Sequence, residues 1–274
     1  MASIVALSRS PMLLEGRSVA ITGAGSGIGR ALAIEFAQRG AIPILIGRNA
    51  DKLAETVSLL PAAVPTKTCI ADITSAQGRE AIVQLCIARG QLDILINNAG
   101  LVPSGLLCDL TDTELQNAVM TNIVAPIALT RDLQRVLRRS DRPRVVNIGS
   151  IFGDIGHPYF AAYCATKFAL RGFSDAIRRE LAADGIGVTY AAPRATRTAA
   201  ADGFQSLISP YGMSLDQPQT VARQIVLAVE RESATVYAAG AERIFVAIQR
   251  LLPRLVDLAL ISKTRKLRSG PVSR

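Results

Sequence analysis

Short runs rich in apolar and β-branched residues recur along the chain, separated by longer stretches of helical period. The runs are Arg17 to Gly23, Ala41 to Ile46, Val64 to Ile70, Leu92 to Ile96, Val145 to Ile148, a sixth ahead of Pro193, and Thr235 to Tyr237. All read as strands, Leu92 to Ile96 and Val145 to Ile148 as buried ones. Between them, Ile28 to Arg39 is apolar-periodic and stops at Gly40, and a second helix opens near Asp51. Thr74-x-x-Gln77 and Thr111-x-x-Glu114 read as capping boxes opening two further helices, the first closing at Gly90, and another helix runs from Pro218 to Glu230. This alternation predicts right-handed crossovers and a parallel α/β sheet covered on both sides. Pro43 is a misfit in the second run, because proline withholds a ladder donor; its place near the strand's beginning makes it tolerable.

With 274 residues and 49% of them apolar, the chain can bury a sizeable core. We expect one catalytic domain over 1–240 and a basic, apolar tail over 241–274. Formal charge is +9, but after Glu242 eight basic residues stand against a single acid, Asp257, which leaves that stretch at a net +7. The body is therefore not a basic protein, and with no recognition-helix or aromatic stacking pattern, nucleic acid is not expected as a partner. Cys69, Cys86, Cys108 and Cys164 have no paired spacing, so no disulfide framework or metal site is expected. The opening residues lack a secretory pattern, and a reducing, cytoplasmic location is the expectation.

The candidate chemistry begins where the first strand runs through TGAGSGIG into a helix. In that setting glycines let backbone approach a pyrophosphate, and the helix amino terminus supplies unpaired N–H groups. Gly23, Gly27 and Gly29 fit G-x-x-x-G-x-G, not G-x-G-x-x-G. About twenty residues on, where an acid would read the ribose of NAD, stands Arg48. A cation there suits a 2′-phosphate and predicts NADP(H). Further along, Tyr163 and Lys167 are four residues apart and share one helix face, behind Ser150 at the end of a strand. The expectation is that the ammonium lowers the phenol's pKa and equips it for proton transfer. Alone, the pair is more often core than catalyst.

Taken together, Thr22-Gly23-x-x-x-Gly27-Ile28-Gly29, Asp72, Asn97-Asn98-Ala99-Gly100, Asn122, Ser150 and Tyr163-x-x-x-Lys167 resemble the short-chain dehydrogenase/reductase family. The resemblance implies a Rossmann-like, doubly wound fold with a seven-stranded parallel sheet, and nicotinamide-dependent interconversion of carbonyl and alcohol. It implies that Asn122, Ser150, Tyr163 and Lys167 are catalytic, with Tyr163 the general acid/base and Asn122 holding a water that connects Lys167 to solvent. It also implies a cofactor site drawn from Gly23, Ser26, Gly27, Ile28, Gly29, Arg48, Asp72, Asn98, Ala99, Gly100, Tyr163, Lys167, Pro193 and Thr198, with Asp72 at the adenine, and a homodimer or homotetramer. Ser26 stands where many NADP-preferring relatives carry a base, which keeps NAD(H) open. The same fold could serve a non-catalytic regulatory or scaffold protein that only binds the dinucleotide.

Arg194 departs from the family's Pro-Gly, and either it or Arg197 is expected to face an anionic group of substrate or cofactor, or else to be solvated on a lid. The lid spans about 194–215 and its apolar residues are expected to cover an apolar carbonyl or alcohol substrate. His157 is expected at the surface, without a catalytic role. The tail's apolar segment, Ile244 to Ile261, is too interrupted to span a membrane; through 243–268 it would either lie on a membrane surface or pack on its own body or a second subunit.

Overall fold

The computed structural model describes residues 10–237 and 242–269. The expected domain boundary at 240–241 lies outside the described residues. The first half runs β1 (Ser18–Thr22), α1 (Gly27–Gln38), β2 (Ile42–Gly47), α2 (Ala50–Ser58), β3 (Lys67–Ile70), α3 (Ala76–Ala88), β4 (Ile94–Asn97), α4 (Asp112–Val119) and α5 (Ala125–Leu137). The second half runs β5 (Arg144–Ile148), α6 (Ala161–Glu180), β6 (Gly187–Ala192), α7 (Ala199–Asp202), α8 (Gln205–Tyr211), α9 (Pro218–Glu230), β7 (Thr235–Tyr237), α10 (Glu242–Leu251) and α11 (Pro253–Ser269).

The strands form one seven-stranded sheet in the order β3-β2-β1-β4-β5-β6-β7, and every pairing is parallel. Side chains alternate across it, as strand geometry requires. Val19 and Ile21 join a core with Phe36 of α1 and Ile225 of α9, whereas Ala20 faces a second core with Ile82 of α3 and Leu129 of α5. The strand order reverses between β1 and β4, so a crevice opens at their carboxyl ends.

Local chemistry accounts for the boundaries. Pro43 does lie inside β2, opposite Val19 of β1. Ile42 donates to the Arg17 carbonyl at 2.7 Å. Donors alternate in direction along a strand, so the Pro43 nitrogen faces the β3 side, where pairing starts only at Ile44 with Lys67. No ladder bond is lost. The third strand begins at Lys67, not Val64, because Pro61 and Pro65 hold the preceding residues in a turn closed by Val64 N–H to Pro61 C=O at 3.0 Å. The capping box expected at Thr74 is not formed. Ser75 caps α3 by accepting from Gly78 N–H at 2.9 Å, while the Thr74 hydroxyl donates to Asp72 at 2.7 Å. The box at Thr111 and Glu114 is present on both sides of its exchange.

Candidate active site

At the carboxyl ends of β1, β4, β5 and β6 lies a cleft of about 380 Å³. Its floor starts at the glycine turn. Gly23 and Gly27 have φ of +68° and +52°, values that a β-carbon disfavours. A β-carbon on Gly29 would stand 2.2 Å from the Gly23 carbonyl oxygen, so α1 can begin here only without one. Thr22 ties this turn to the next strand's end: its hydroxyl accepts from Asn98 N–H at 2.9 Å and Ala99 N–H at 3.0 Å, and Asn98 Nδ2 donates to the Thr22 carbonyl at 2.8 Å. Ser26 precedes α1 in extended backbone with its hydroxyl making no capping bond. Arg30 braces the turn from behind, donating to the Gly25 carbonyl at 2.6 Å and to Glu55 at 2.7 Å.

The far end of the crevice holds Arg48, exposed beyond β2, and Asp72. Bonds from the Thr74 N–H and hydroxyl hold the Asp72 carboxyl below its ordinary range, with a smaller contribution from the Arg48 charge. The expected cofactor residues all line this one cleft except Gly29, which is buried in α1. A glycine cradle too tight for β-carbons, opening on the amino terminus of α1, fits the pyrophosphate of a dinucleotide.

The other end brings the chemistry together. Ser150 leaves β5 in extended backbone, and its hydroxyl accepts from Phe152 N–H at 3.1 Å. Tyr163 and Lys167 are one turn apart on α6, with Nζ 5.6 Å from the tyrosine ring centroid. Lys167 is buried, and its ammonium donates to the Ile148 carbonyl at 2.9 Å. Asn122 sits behind Gly100, whose β-carbon would approach Asn122 Oδ1 to 3.2 Å and Lys167 Nζ to 3.7 Å. Its side chain is fully engaged: Oδ1 accepts from Leu101 N–H at 2.8 Å, and Nδ2 donates to the Leu101 carbonyl at 2.8 Å and Thr166 Oγ1 at 3.0 Å. It belongs to a π-helical segment, Met120–Val124, between α4 and α5, a feature that periodicity does not reveal.

Electrostatics correct one expectation. Burial pushes the Tyr163 phenol up to about 12, with the Ser150 hydroxyl pulling it partly back. Burial also brings the Lys167 ammonium down to about 8. Burial therefore outweighs the lowering expected from the lysine, whose ammonium donates to the Ile148 carbonyl.

Tyr190 is a positioning residue that sequence reasoning missed. Fully buried in β6, it donates its hydroxyl to the Ser150 carbonyl at 3.1 Å, and β-carbons on Gly149 or Gly153 would come within 2.3 Å of its ring or oxygen. The available signal was a tyrosine in a strand expected to be buried, whose hydroxyl must find a partner. His157, expected at the surface, is half-buried. It stacks on Phe152 at 4.8 Å and meets Tyr211 edge-on at 4.5 Å, and burial lowers its pKa. Arg194 is likewise not turned outward to solvent: it makes a two-bond fork on Asp216, Nε to Oδ2 at 2.8 Å and Nη2 to Oδ1 at 2.7 Å. The fork staples the base of the lid, where Thr196 and Asp216 also form a β-bridge. The expected lid segment carries the helices α7 and α8, and Phe204, Leu207, Ile208 and Met213 pack with Phe160 and Tyr163.

This constellation on this fold matches a family model described as short chain dehydrogenase over residues 17–206. The chain belongs to the short-chain dehydrogenase/reductase family. It is 33% identical over 276 residues to dehydrogenase/reductase SDR family member 7B of Bos taurus, covering 92% of this chain and 82% of that one. It is 33% identical to the 3-oxoacyl-(acyl-carrier-protein) reductase FabG of Haemophilus influenzae, over 66% of this chain and 74% of that one. Among solved structures it resembles one assigned as an NAD(P) dependent gluconate 5-dehydrogenase from Beutenbergia cavernae with bound NADP: TM-score 0.76, 25% identity, covering 86% of this chain and all of the other. The chain is thus an NAD(P)-dependent short-chain dehydrogenase/reductase.

Proposed function

We propose that this enzyme uses NADP(H) to interconvert a carbonyl and an alcohol on an apolar substrate, with Tyr163 as the general acid and base. The observation that carries the reading is the meeting of Ser150, Tyr163 and Lys167 at one end of a cleft whose other end is the glycine cradle and Arg48. A nicotinamide, when bound, supplies or accepts the hydride. Negative charge then develops on the carbonyl oxygen; the Ser150 hydroxyl donates to that oxygen, and the Tyr163 hydroxyl donates to it and passes its proton. A phenol held near 12 is fully protonated at neutral pH and stays a donor until that charge appears. Lys167, buried and cationic below about pH 8, stabilises the phenolate left behind. With both side-chain atoms of Asn122 committed, the water it is proposed to hold toward Lys167 would be held through its main chain.

Arg48 supports NADP(H) over NAD(H), since its exposed guanidinium stands beyond the strand end where a 2′-phosphate would lie. The aromatic and aliphatic lining around Phe152, Phe160 and Phe204 supports an apolar substrate or acyl chain. Exposed Leu115, Met120, Val124, Ile127 and Phe168 on α4 to α6 support a homo-oligomer built on those helices.

The test is Tyr163→Phe. Consumption of NADPH with a panel of ketones and 3-oxoacyl thioesters is expected to fall on the order of 10²–10⁴-fold, with NADPH binding within a few-fold of the parent. Equal turnover by the variant would overturn the assignment. Absence of turnover by the parent, with tight NADPH binding, would favour the non-catalytic binding protein.

A further inference from the structure

The C-terminal arm, α10 with α11, has two unlike sides. Its inner side is bonded to the loop after Ser150 and to the end of α8, elements that flank the cleft. Arg250 pairs at 2.9 Å with Asp154, a buried carboxylate in the loop after Ser150 that also accepts from the Tyr237 hydroxyl at 3.0 Å. On α11, Thr264 Oγ1 is 2.8 Å from the Tyr211 hydroxyl, and Lys263 donates to the Tyr211 carbonyl at 3.2 Å. Tyr211 ends lid helix α8 and lies against His157 and Tyr159. One arm therefore holds both the loop before α6 and the lid.

The outer side is bare. Val256, Leu260 and Thr264, spaced by four, are half-buried against the body. On the opposite side of the same helix Leu255 and Leu258 are 54% and 68% exposed, and on α10 Ile244 and Leu251, spaced by seven, are 63% and 78% exposed. Arg254 is exposed beside them. After Glu242 the sequence carries eight bases and one acid.

We propose that this outer side docks on an anionic lipid surface, and that docking acts on the substrate mouth through the Asp154 and Tyr211 contacts. Leucine and isoleucine side chains facing outward would enter the acyl boundary while Arg254 beside them meets lipid phosphate. A second copy is the poorer occupant, because a self-complementary contact would bring two such cationic arms together. No described helix is long and apolar enough to cross a membrane. The docking half stands without the functional reading, and the coupling half rests on this end being the substrate mouth.

The full chain, the variant Leu255→Glu/Leu258→Glu and the charge variant Arg254→Glu are sedimented with phosphatidylcholine vesicles, with and without phosphatidylglycerol. Thermal midpoints and light scattering are recorded for each. Partition of the parent is expected to require phosphatidylglycerol, and to weaken at least about tenfold in the leucine variant and several-fold in Arg254→Glu and in high salt. Hydrogen exchange in 205–211 is expected to change when the parent binds vesicles. Equal partition of parent and leucine variant, or none by the parent, overturns docking. A parent dimer that the leucine variant dissolves, without lipid binding, assigns the face to a second copy instead. Vesicle binding with unchanged exchange in 205–211 overturns the coupling.

Discussion

The Thr198 methyl lies 3.0 Å from the position a β-carbon would take on Gly27, so the segment after β6 closes directly on the glycine turn at the start of α1. Two loops distant in sequence meet over the cofactor crevice, and the slack between them at this point is a missing side chain.

Gly27→Ala fills that slack and adds a β-carbon at φ +52°. The Michaelis constant for the dinucleotide is expected to rise at least about tenfold, with about 1 kcal/mol lost from folding stability because of the left-handed backbone. Steady-state kinetics and urea unfolding of the variant measure the two effects separately. Unchanged affinity would mean that the dinucleotide runs elsewhere.

Arg48→Asp exchanges a phosphate-binding charge for a ribose-binding one. The ratio of kcat/KM for NADPH over NADH is expected to fall by more than about tenfold, mainly through KM for NADPH, since a lost charge-assisted contact is worth about 1.5–3 kcal/mol. Parallel assays with the two cofactors decide it; an unaltered ratio would remove Arg48 from cofactor selection.

The Arg194–Asp216 fork links the lid's two ends across 22 residues of chain. Both partners are only partly exposed, at 30% and 16%. A double-mutant cycle of Arg194→Gly and Asp216→Ala is expected to show a coupling of about 1 kcal/mol, discounted from a buried bidentate pair for solvent screening. Each single variant is expected to raise KM for substrate more than it lowers kcat. Additive effects in unfolding experiments would show that the fork does not staple the lid.

Lys167 gives a pH signature. Its folded pKa is lowered from the usual value near 10.5 to about 8, so the unfolded chain holds more protons between those limits and stability gained through this group rises with pH across that window. Below pH 8 the cost of burying the ammonium is fully present. Against Lys167→Met, the parent is expected to gain up to about 3 kcal/mol between pH 7.5 and 10.5. Urea titrations of both proteins across that range test the sign. A flat difference would place the amine in solvent.

Much of this was legible in the chain itself. The Gly23, Gly27 and Gly29 spacing, the Tyr163 and Lys167 pair, the Thr111 capping box, α9 and β7 are local patterns, set by backbone sterics, helical period and neighbouring hydrogen bonds. So the fold and the cofactor crevice could be expected from the order of residues alone. Other features depend on groups that meet only after the sheet has formed. The hydroxyl of Tyr190 reaches the Ser150 loop from an adjacent strand, Asp216 reaches Arg194 across the lid, and His157 is enclosed by rings from three segments. The sign of the Tyr163 shift is of this kind too: a neighbouring lysine promised a more acidic phenol, but burial, a property of the assembled fold, outweighs it. Local order therefore determined which chemistry this chain can carry, and tertiary packing decided how each group is charged, held and covered, because desolvation and long-range partners have no trace in spacing.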